Sequence, residues 1–194
     1  MKDKLGVIHG RFQVLHNDHM KYLLAGKERC EHLIIGICNP EQDLTKYTSN
    51  NPHRSKKSSN PLTYFERMEC IKYSLIEAGV NQAEFDIVPF PINFPEKIFN
   101  YAPLNAKYYM TIYDKWGEEK LKMLQEDLKL DVEVLWRVSL ENKGISASDI
   151  RKNIQEGKEW KQYVPNFVYN YMVENQLDKK IKALLDEEEK DKRG

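Results

Sequence analysis

The first 38 residues contain the pattern that most constrains the fold of this chain. Residues 5–9 (LGVIH) and residues 32–38 (HLIIGIC) are continuous apolar runs of strand length. Between them, Met20, Leu23 and Leu24 have the spacing of one face of a helix. Because both apolar runs are continuous rather than alternating, they predict parallel strands joined as a βαβ unit, in a sheet that is covered on both faces.

Strands and helices continue to alternate further along the chain. A helix is predicted over residues 61–78, where Thr63 can cap the first turn and Glu66 follows three residues later. Further strands are predicted at residues 85–88, 107–112 and 132–136, with a helix over 115–128 and only helices from residue 146 onward. The pattern predicts an α/β fold, a Rossmann-like doubly wound parallel sheet of about five strands with a helical C-terminal part.

These elements indicate one domain over residues 1–176, followed by a charged tail at residues 177–194 that is either helical or disordered. Within the domain, residues 39–60 form a long, polar, turn-rich segment. A segment of this kind is either functional or unstructured. Two interpretations therefore stay open, a lid that closes on a ligand and a solvated insertion. The segment carries the basic residues Lys46, His53, Arg54, Lys56 and Lys57.

Charge and cysteine content exclude several classes of protein. The chain of 194 residues has 30 Lys and Arg against 30 Asp and Glu, so its formal net charge is zero. This balance argues against nucleic acid or an anionic membrane as the partner. No apolar run approaches the roughly 20 residues of a membrane span, and no secretory leader is evident. Three scattered cysteines favour neither a disulfide framework nor a zinc site, so we expect a reducing cytoplasm.

Residues 10–19 (GRFQVLHNDH) join the first predicted strand to the first predicted helix. His16 and His19 are three residues apart and lie on one face of the first helical turn. The same turn offers unpaired backbone N–H groups and the positive end of the helix dipole, and Arg11 adds a permanent positive charge. Gly10 would let the backbone pass close to a ligand. The segment thus predicts a polyphosphate site at the carboxyl edge of the sheet.

This segment resembles the GRFQPxHxGH segment of the nucleotidyltransferase superfamily, whose short form is HxGH. The resemblance is strongest to nicotinamide-mononucleotide adenylyltransferases of the archaeal type. Residues 60–68 (NPLTYFERM) are similar to the NPFTxxER segment of that family, and residues 145–152 (ISASDIRK) are similar to its ISGTxIR signature. Gly157, Trp160, Val164 and Pro165 match its G-x-x-W…VP segment. The four matches occur in the family's order and span roughly residues 5–175.

The second signature also has a physical interpretation. Ser146 and Ser148 begin a predicted helix, so their hydroxyls and the nearby N–H groups face the same way. Arg151 follows Ser148 by three residues and shares its helix face. Taken alone, Ser146 could be only a helix cap and Arg151 only a surface residue. Together with the upstream histidines, the two segments predict the two halves of one triphosphate site.

The resemblance implies transfer of AMP from ATP to nicotinamide mononucleotide, with release of pyrophosphate, formation of NAD and no covalent enzyme intermediate. It implies catalytic roles for His16, His19 and Arg11, with Arg11 bridging the donor and acceptor phosphates. Mg²⁺ is expected to arrive with ATP, without a metal site made by the protein. The residues expected to bind ATP are Gly10, Arg11, Phe12, Gln13, His16, His19, Ile145, Ser146, Ser148 and Arg151.

The chain departs from the family pattern at two positions of the first motif. Asp18 stands where the family has Gly, and Val14 stands where it has Pro. Asp18 could point away from the ligand and favour the helix dipole. Alternatively, its bulk and negative charge could alter the nucleotide pocket or weaken the enzyme. The replacement of Pro by Val14 makes the loop less rigid but removes no group that takes part in the chemistry.

The acceptor side matches the family less well. Residues 89–105 occupy the place where the family binds its nicotinamide ring, and their aromatic side chains could either stack on a ring or belong to the core. Residues at the ends of predicted strands are further candidates for acceptor binding. The candidates for acceptor binding are Asn39, Arg67, Phe90, Trp136 and Arg137.

The weaker acceptor match leaves other functions open. One alternative is a related nucleotidyltransferase that uses CTP or ATP with another small phosphorylated acceptor. A second, from a different class, is a regulatory module that binds a nucleotide without turnover, with Asp18 as the lesion. The resemblance also implies a homo-oligomer. The expected partners are ATP and a small phosphorylated acceptor.

Overall fold

The computed structural model describes residues 1–41, 56–138 and 144–192. Within these ranges, five parallel strands form one sheet in the order β3-β2-β1-β4-β5. The strands are β1 (Asp3–Gly10), β2 (Cys30–Cys38), β3 (Phe85–Phe90), β4 (Lys107–Ile112) and β5 (Asp131–Arg137). The chain runs outward from β1 to β3 and then crosses back to β4, so the order reverses beside β1. This confirms the predicted doubly wound α/β fold.

Helices cover both faces of the sheet and form the C-terminal part. They are α1 (Asn17–Arg29), α2 (Tyr64–Glu77), α3 (Lys115–Lys122), α4 (Ala147–Glu156), α5 (Asn166–Glu174) and α6 (Leu177–Asp191). The predicted helix over 115–128 is α3 followed by a π-helical turn at Met123–Asp127. Local signals fix several helix ends. Thr63 and Glu66 form a capping box at α2, and Gly157 ends α4 in the left-handed conformation, with φ of 68°.

The two faces of the sheet carry different hydrophobic clusters. Ile8 of β1 packs in the larger cluster, which contains residues of α1, α2, α4, α5 and α6. Val7, the preceding residue, packs in a smaller cluster with Leu121 of α3 and Leu124 of the π-helical turn. Because side chains alternate along a strand, His9 lies on the same face as Val7. This places His9 on the α3 side of the sheet.

The C-terminal tail is more firmly attached than the sequence analysis expects. Residues 177–191 form α6, and Leu177 and Ile181 are buried in the larger cluster. Leu185 packs against the same cluster, so apolar residues four apart provide one buried stripe in an otherwise charged helix. Glu188, further along α6, binds Lys56 and Ser58. The helix therefore supports the end of the segment that precedes α2.

Several expectations concern residues outside the described ranges. Most of the polar segment at 39–60, including Lys46, His53 and Arg54, lies outside them. Its last part contains a 3-10 turn at Lys57–Ser59. Cys30, Cys38 and Cys70 are buried, and none of them forms a disulfide bond. Among the helices of the described ranges, none is both long enough and apolar enough to cross a membrane.

Candidate active site

A cleft of about 440 Å³ opens at the carboxyl edge of the sheet. The ends of β1, β2 and β4 and the first turns of α1 and α4 surround it. This is the edge beside the point where the strand order reverses, the usual place for ligands in such sheets.

The cleft has two ends, on opposite faces of the sheet. The first, which we call the α1–α4 end, lies over the larger hydrophobic cluster. Its polar groups include Arg11, His16, Asp18, His19, Ser148 and Arg151. The second, the α3 end, lies over the smaller cluster. Its polar groups include His9, Asn39, Asn93, Tyr113, Asp114 and Lys120. The predicted triphosphate residues therefore come together in the first end.

The two motif histidines form a stacked pair at the start of α1. His16 is the N-cap residue, and its Nδ1 accepts a hydrogen bond from the backbone N–H of His19 at 3.4 Å. The ring centroids are 3.6 Å apart. Because Nδ1 of His16 accepts, the neutral ring carries its proton on Nε2. His16 can thus donate one hydrogen bond to a ligand through Nε2–H.

Gly10 leaves room for the ring of Phe12, and the close approach of a ligand at Gly10 stays a prediction. Phe12 adopts a left-handed backbone conformation with φ of 52°, and its buried ring folds back over Gly10. A Cβ atom at Gly10 would lie 2.8 Å from that ring. The ring also meets His19 edge to face, with centroids 5.1 Å apart. Both predicted ATP-binding residues line the cleft, but Phe12 acts by supporting His19.

Gln13 connects the first motif to the segment at residues 60–68. Its side-chain amide donates to the carbonyl oxygen of Leu62 at 2.8 Å and accepts from the N–H of Leu62 at 2.9 Å. Gln13 is buried, with 1% of its surface exposed. Its side chain is therefore engaged in holding the loop, although the sequence predicts a contact with ATP.

Arg151 joins the two signatures. Its guanidinium donates to the carbonyl oxygen of Gln13 and, at 3.1 Å, to the hydroxyl of Ser148. Burial lowers the pKa of Arg151 to about 10, so the side chain remains charged at neutral pH. It lines the cleft with Ser148. The β1–α1 loop and α4 are thus held at a fixed distance by a positively charged group.

Ser146 caps α4, as the structural interpretation of the sequence expects. Its hydroxyl accepts from the N–H of Asp149 at 3.2 Å and donates to the Asp149 carboxylate at 2.6 Å. Ser146 also lines the cleft, as does Ile145, which packs against the larger cluster. What α4 presents to the cleft is therefore its first turn, with the positive end of the helix dipole, and the side chain of Ser148.

Asp18 lines the cleft rather than pointing away from it. Its carboxylate binds Lys21 at 2.8 Å, one turn along α1. It also lies against Gly144, where any Cβ atom would collide with the Asp18 carboxylate. The residue that replaces the family's Gly therefore contacts the segment that leads into the second signature.

Among the predicted acceptor residues, Asn39 lines the cleft and Arg67 lies beneath it. Asn39 follows β2 with a φ of 49°. Arg67 has none of its surface exposed. Its guanidinium donates to the carbonyl oxygens of Thr63, Arg11, Cys38 and Asn39, at 2.7 to 3.1 Å. Arg67 therefore positions the loops after β1 and β2, and its contact with the acceptor stays a prediction.

The other predicted acceptor residues are not among those lining the cleft. Trp136 packs against the larger cluster and meets Tyr22 edge to face, with centroids 6.3 Å apart. Arg137 is exposed and paired with Glu118. Phe90 is completely buried beneath the cleft. These three residues lie away from the cleft because strand ends alternate between the two faces of a sheet, and only some of them point to it. Their role in acceptor binding stays a prediction.

Several residues that line the cleft were not predicted from the sequence: His9, Asn93, Tyr113, Trp116 and Lys120. The position of His9 directly before Gly10 was the available signal, since it places an imidazole at the end of a central strand. Lys120 lies on α3 and had no distinguishing pattern in the sequence. Its place in the site depends on how α3 packs.

The carboxylates lining the described cleft are Asp18 and Asp114. Asp114 caps α3 and accepts from the N–H of Gly117 at 2.9 Å. Among the described residues, no group of three or more His, Cys, Asp or Glu side chains is arranged to hold a metal ion.

A model of the cytidylyltransferase-like family matches residues 7–153. The chain belongs to the cytidylyltransferase-like family. The phosphonoformate cytidylyltransferase of Streptomyces viridochromogenes is 44% identical over 178 residues, which cover 92% of this chain and 95% of that protein. The nicotinamide-nucleotide adenylyltransferase of Thermococcus sibiricus is 28% identical, covering 97% of this chain and 93% of that protein.

A solved structure supports the fold. The bifunctional NMN adenylyltransferase/ADP ribose pyrophosphatase of Francisella tularensis matches with a TM-score of 0.62 and 18% identity, over 93% of this chain. This chain spans about half of that protein, since the match covers 53% of it. The comparisons confirm the predicted membership of the nucleotidyltransferase superfamily. The chain is a nucleotidyltransferase.

Proposed function

We propose that this nucleotidyltransferase transfers CMP from CTP to a small acceptor that carries a phosphonate or phosphate group, and releases pyrophosphate. The observation that carries the proposal is the meeting of both signatures at the α1–α4 end, where Arg151 joins the β1–α1 loop to α4. The choice of CTP and of a small acceptor draws on the 44% identity to a phosphonoformate cytidylyltransferase over 92% of the chain.

The α1–α4 end suits an in-line displacement at phosphorus. An acceptor oxygen attacks the α-phosphorus of the nucleotide, and the bond to the β-phosphate breaks as pyrophosphate leaves. We assign His16 Nε2–H and His19 to the α-phosphoryl oxygens, Arg11 to both reacting phosphates, and Ser148 with Arg151 to the β- and γ-phosphates. Catalysis then consists of positioning the reactants and neutralising the charge that develops on them.

We propose that Mg²⁺ arrives bound to the nucleotide. The ion would offset part of the negative charge of the nucleotide phosphates. Both carboxylates that line the cleft are already engaged, Asp18 with Lys21 and Asp114 with the N–H of Gly117. The remaining contacts of the ion would therefore come from phosphates and water, the usual arrangement for Mg²⁺.

NAD formation from ATP and nicotinamide mononucleotide is the second candidate function. The 28% identity to nicotinamide-nucleotide adenylyltransferases favours it. The acceptor side of this chain favours it less, because Phe90, the first aromatic residue of the segment at 89–105, is completely buried. Tyr113 and Trp116 line the cleft and offer aromatic rings to either a base or an acceptor.

The test crosses two nucleotides with two acceptors. Purified protein with Mg²⁺ is incubated with CTP or ATP, and with phosphonoformate or nicotinamide mononucleotide. Pyrophosphate release is measured, and the product is identified by mass spectrometry. Protein with the substitution His19→Ala, prepared in the same way, controls for contaminating enzymes.

Each outcome separates the hypotheses. Release of pyrophosphate with CTP and phosphonoformate, absent in His19→Ala, supports cytidylyl transfer to a small acceptor. Release of pyrophosphate only in the combination of ATP with nicotinamide mononucleotide would instead support NAD formation. Thermal stabilisation by a nucleotide without release in any combination would favour the non-catalytic binding module.

A further inference from the structure

The α3 end of the cleft contains a buried imidazole whose hydrogen-bonding groups are unused. His9 has 4% of its surface exposed, and its ring stacks on Phe90 with centroids 4.7 Å apart and an angle of 11° between the planes. Among the described residues, neither ring nitrogen has a hydrogen-bond partner. Buried polar groups without partners are rare and destabilising. Because His9 lines the cleft, a bound ligand is the natural source of its partner.

Lys120 places a positive charge at the same end. It lines the cleft from α3, and its charge acts on His9. Burial lowers the pKa of His9 well below its usual value, and the charge of Lys120 lowers it further. His9 is therefore neutral at physiological pH, with one nitrogen able to donate and the other able to accept. The pair offers a cation and a neutral donor to one ligand group.

Two amide side chains continue this polar surface. Asn93 donates to the side-chain oxygen of Asn39 at 3.0 Å, which links the loops after β2 and β3. Both residues line the cleft. The carboxylate of Asp114 also lines the cleft, and it accepts a hydrogen bond from the N–H of Gly117 at 2.9 Å. The polar groups at this end thus include one cation and several neutral donors, a combination that recognises an oxyanion.

We propose that the α3 end binds a second anionic group of the acceptor, a carboxylate or an equivalent oxyanion, through Lys120 and His9. The proposal rests on the proposed function, in which the first anionic group of the acceptor is the phosphonate or phosphate that attacks the nucleotide at the α1–α4 end. The acceptor class becomes small phosphonates or phosphates with a second negative charge. Lys120 also disfavours the positively charged pyridinium ring of nicotinamide mononucleotide.

The test compares two acceptors that differ in the second anion. Phosphonoformate carries a carboxylate beside its phosphonate, whereas methylphosphonate carries a methyl group there. Steady-state kinetics with CTP are measured for both acceptors with the wild type, Lys120→Met, Lys120→Arg and His9→Phe. The substitution Lys122→Met is the matched control, because Lys122 lies on the same helix and is paired with Glu126 at the surface.

Lys120→Met is expected to raise the KM for phosphonoformate about 10-fold or more, the effect of losing a charge-assisted hydrogen bond. The KM for CTP and the kinetics with methylphosphonate should stay within about twofold, and Lys120→Arg should retain most of the wild-type KM. His9→Phe keeps the stacked ring on Phe90 and removes both nitrogens, so it should raise the same KM severalfold. Thermal unfolding of each variant checks that it is folded.

Two results would overturn the inference. If Lys120→Met changed the KM for both acceptors equally, Lys120 would not bind the second anion. The same would follow if Lys122→Met raised the KM for phosphonoformate as much as Lys120→Met does. Calorimetric binding of phosphonoformate, with a non-hydrolysable CTP analogue present, separates this failure from failure of the proposed function. Binding that depends on Lys120 without turnover would refute the transferase proposal alone. Turnover of phosphonoformate that is unchanged in Lys120→Met would refute only the proposed anion site.

Discussion

The α1–α4 end of the cleft takes its polar groups from two short segments, residues 10–19 and 145–151, whereas the α3 end takes its own from five separate places along the chain. The first set includes the two halves of a recognisable signature. The residues of the second set share only their position, at the end of a strand, after a strand or on α3. The difference indicates that the groups assigned to the reaction are encoded locally, while the groups assigned to acceptor choice depend on the topology of the sheet.

The largest effect is expected for His19→Ala. It removes a ring that stacks on His16 and is assigned to the α-phosphoryl group, so turnover should fall about 10²–10³-fold with every acceptor. Steady-state assays with two acceptors measure this loss. His32→Ala is the matched control, because His32 lies at the start of β2 and binds Asp86 away from the cleft. If the loss of turnover in His19→Ala differed between the two acceptors, the two ends of the cleft would not have the separate roles assigned to them.

Arg151→Ala should lower kcat/KM for the nucleotide about 10²-fold and also lower the Tm. The first effect follows from the loss of a phosphate-binding cation. The second follows because the carbonyl oxygen of Gln13 and the hydroxyl of Ser148 lose their donor. Kinetics and thermal unfolding measure the two effects. Lys152→Ala, at the exposed neighbouring position, should change neither, and an unchanged Tm in Arg151→Ala would contradict the proposed link between the signatures.

Asp18→Asn should have a smaller effect, in the opposite direction. It removes a negative charge from the α1–α4 end, to which the triphosphate is assigned, without adding the flexibility of Gly within α1. The KM for CTP is expected to fall about threefold, with kcat unchanged, because the carboxylate repels the triphosphate and its pairing with exposed Lys21 contributes little to stability. Initial-rate measurements across CTP concentrations test this expectation. A large fall in kcat would instead assign Asp18 a direct role in the reaction.

Glu188→Gln is expected to affect stability more than activity. Hydrogen bonds from Lys56 and Ser58 lower the pKa of Glu188 to about 2, so the carboxylate stabilises the folded state above its ordinary pKa of 4.5. At pH 7 the Tm should fall by roughly 2–4 °C, with kcat within about twofold of the wild type. The control Glu187→Gln changes an exposed residue of the same helix.

The sign of the pH dependence follows from the lowered pKa. The difference in free energy of unfolding between the wild type and Glu188→Gln should be complete above about pH 4.5 and disappear as the pH falls towards 2. Denaturant unfolding at several pH values measures it. A difference that persists at pH 2 would mean that the charge of Glu188 is not what holds Lys56 and Ser58.

Local sequence was sufficient to predict much of the fold. The capping box of Thr63 and Glu66, the cap at Ser146 and the strand at residues 107–112 all occur as predicted. Each depends on residues within a few positions of one another. The prediction was less complete at the end of the chain, because the burial of Ile181 depends on elements that are distant in sequence.

The candidate site divides in the same way. The sequence predicted that His16, His19, Ser148 and Arg151 would lie together, since two signatures carried them. It did not predict that Gln13 would be held by Leu62 or that Arg67 would be buried among carbonyl oxygens. Residue types alone do not reveal which side chains are already engaged by the protein.

By itself, the sequence determined the parallel α/β architecture and predicted that the two signatures meet in one site, because periodicity, helix caps and short signatures act over a few residues. The tertiary structure alone decided which strand-end residues face the cleft and brought Lys120 towards His9. Strand order, side-chain alternation and the packing of α3 set those positions, and each of them is a relation between residues far apart in the chain.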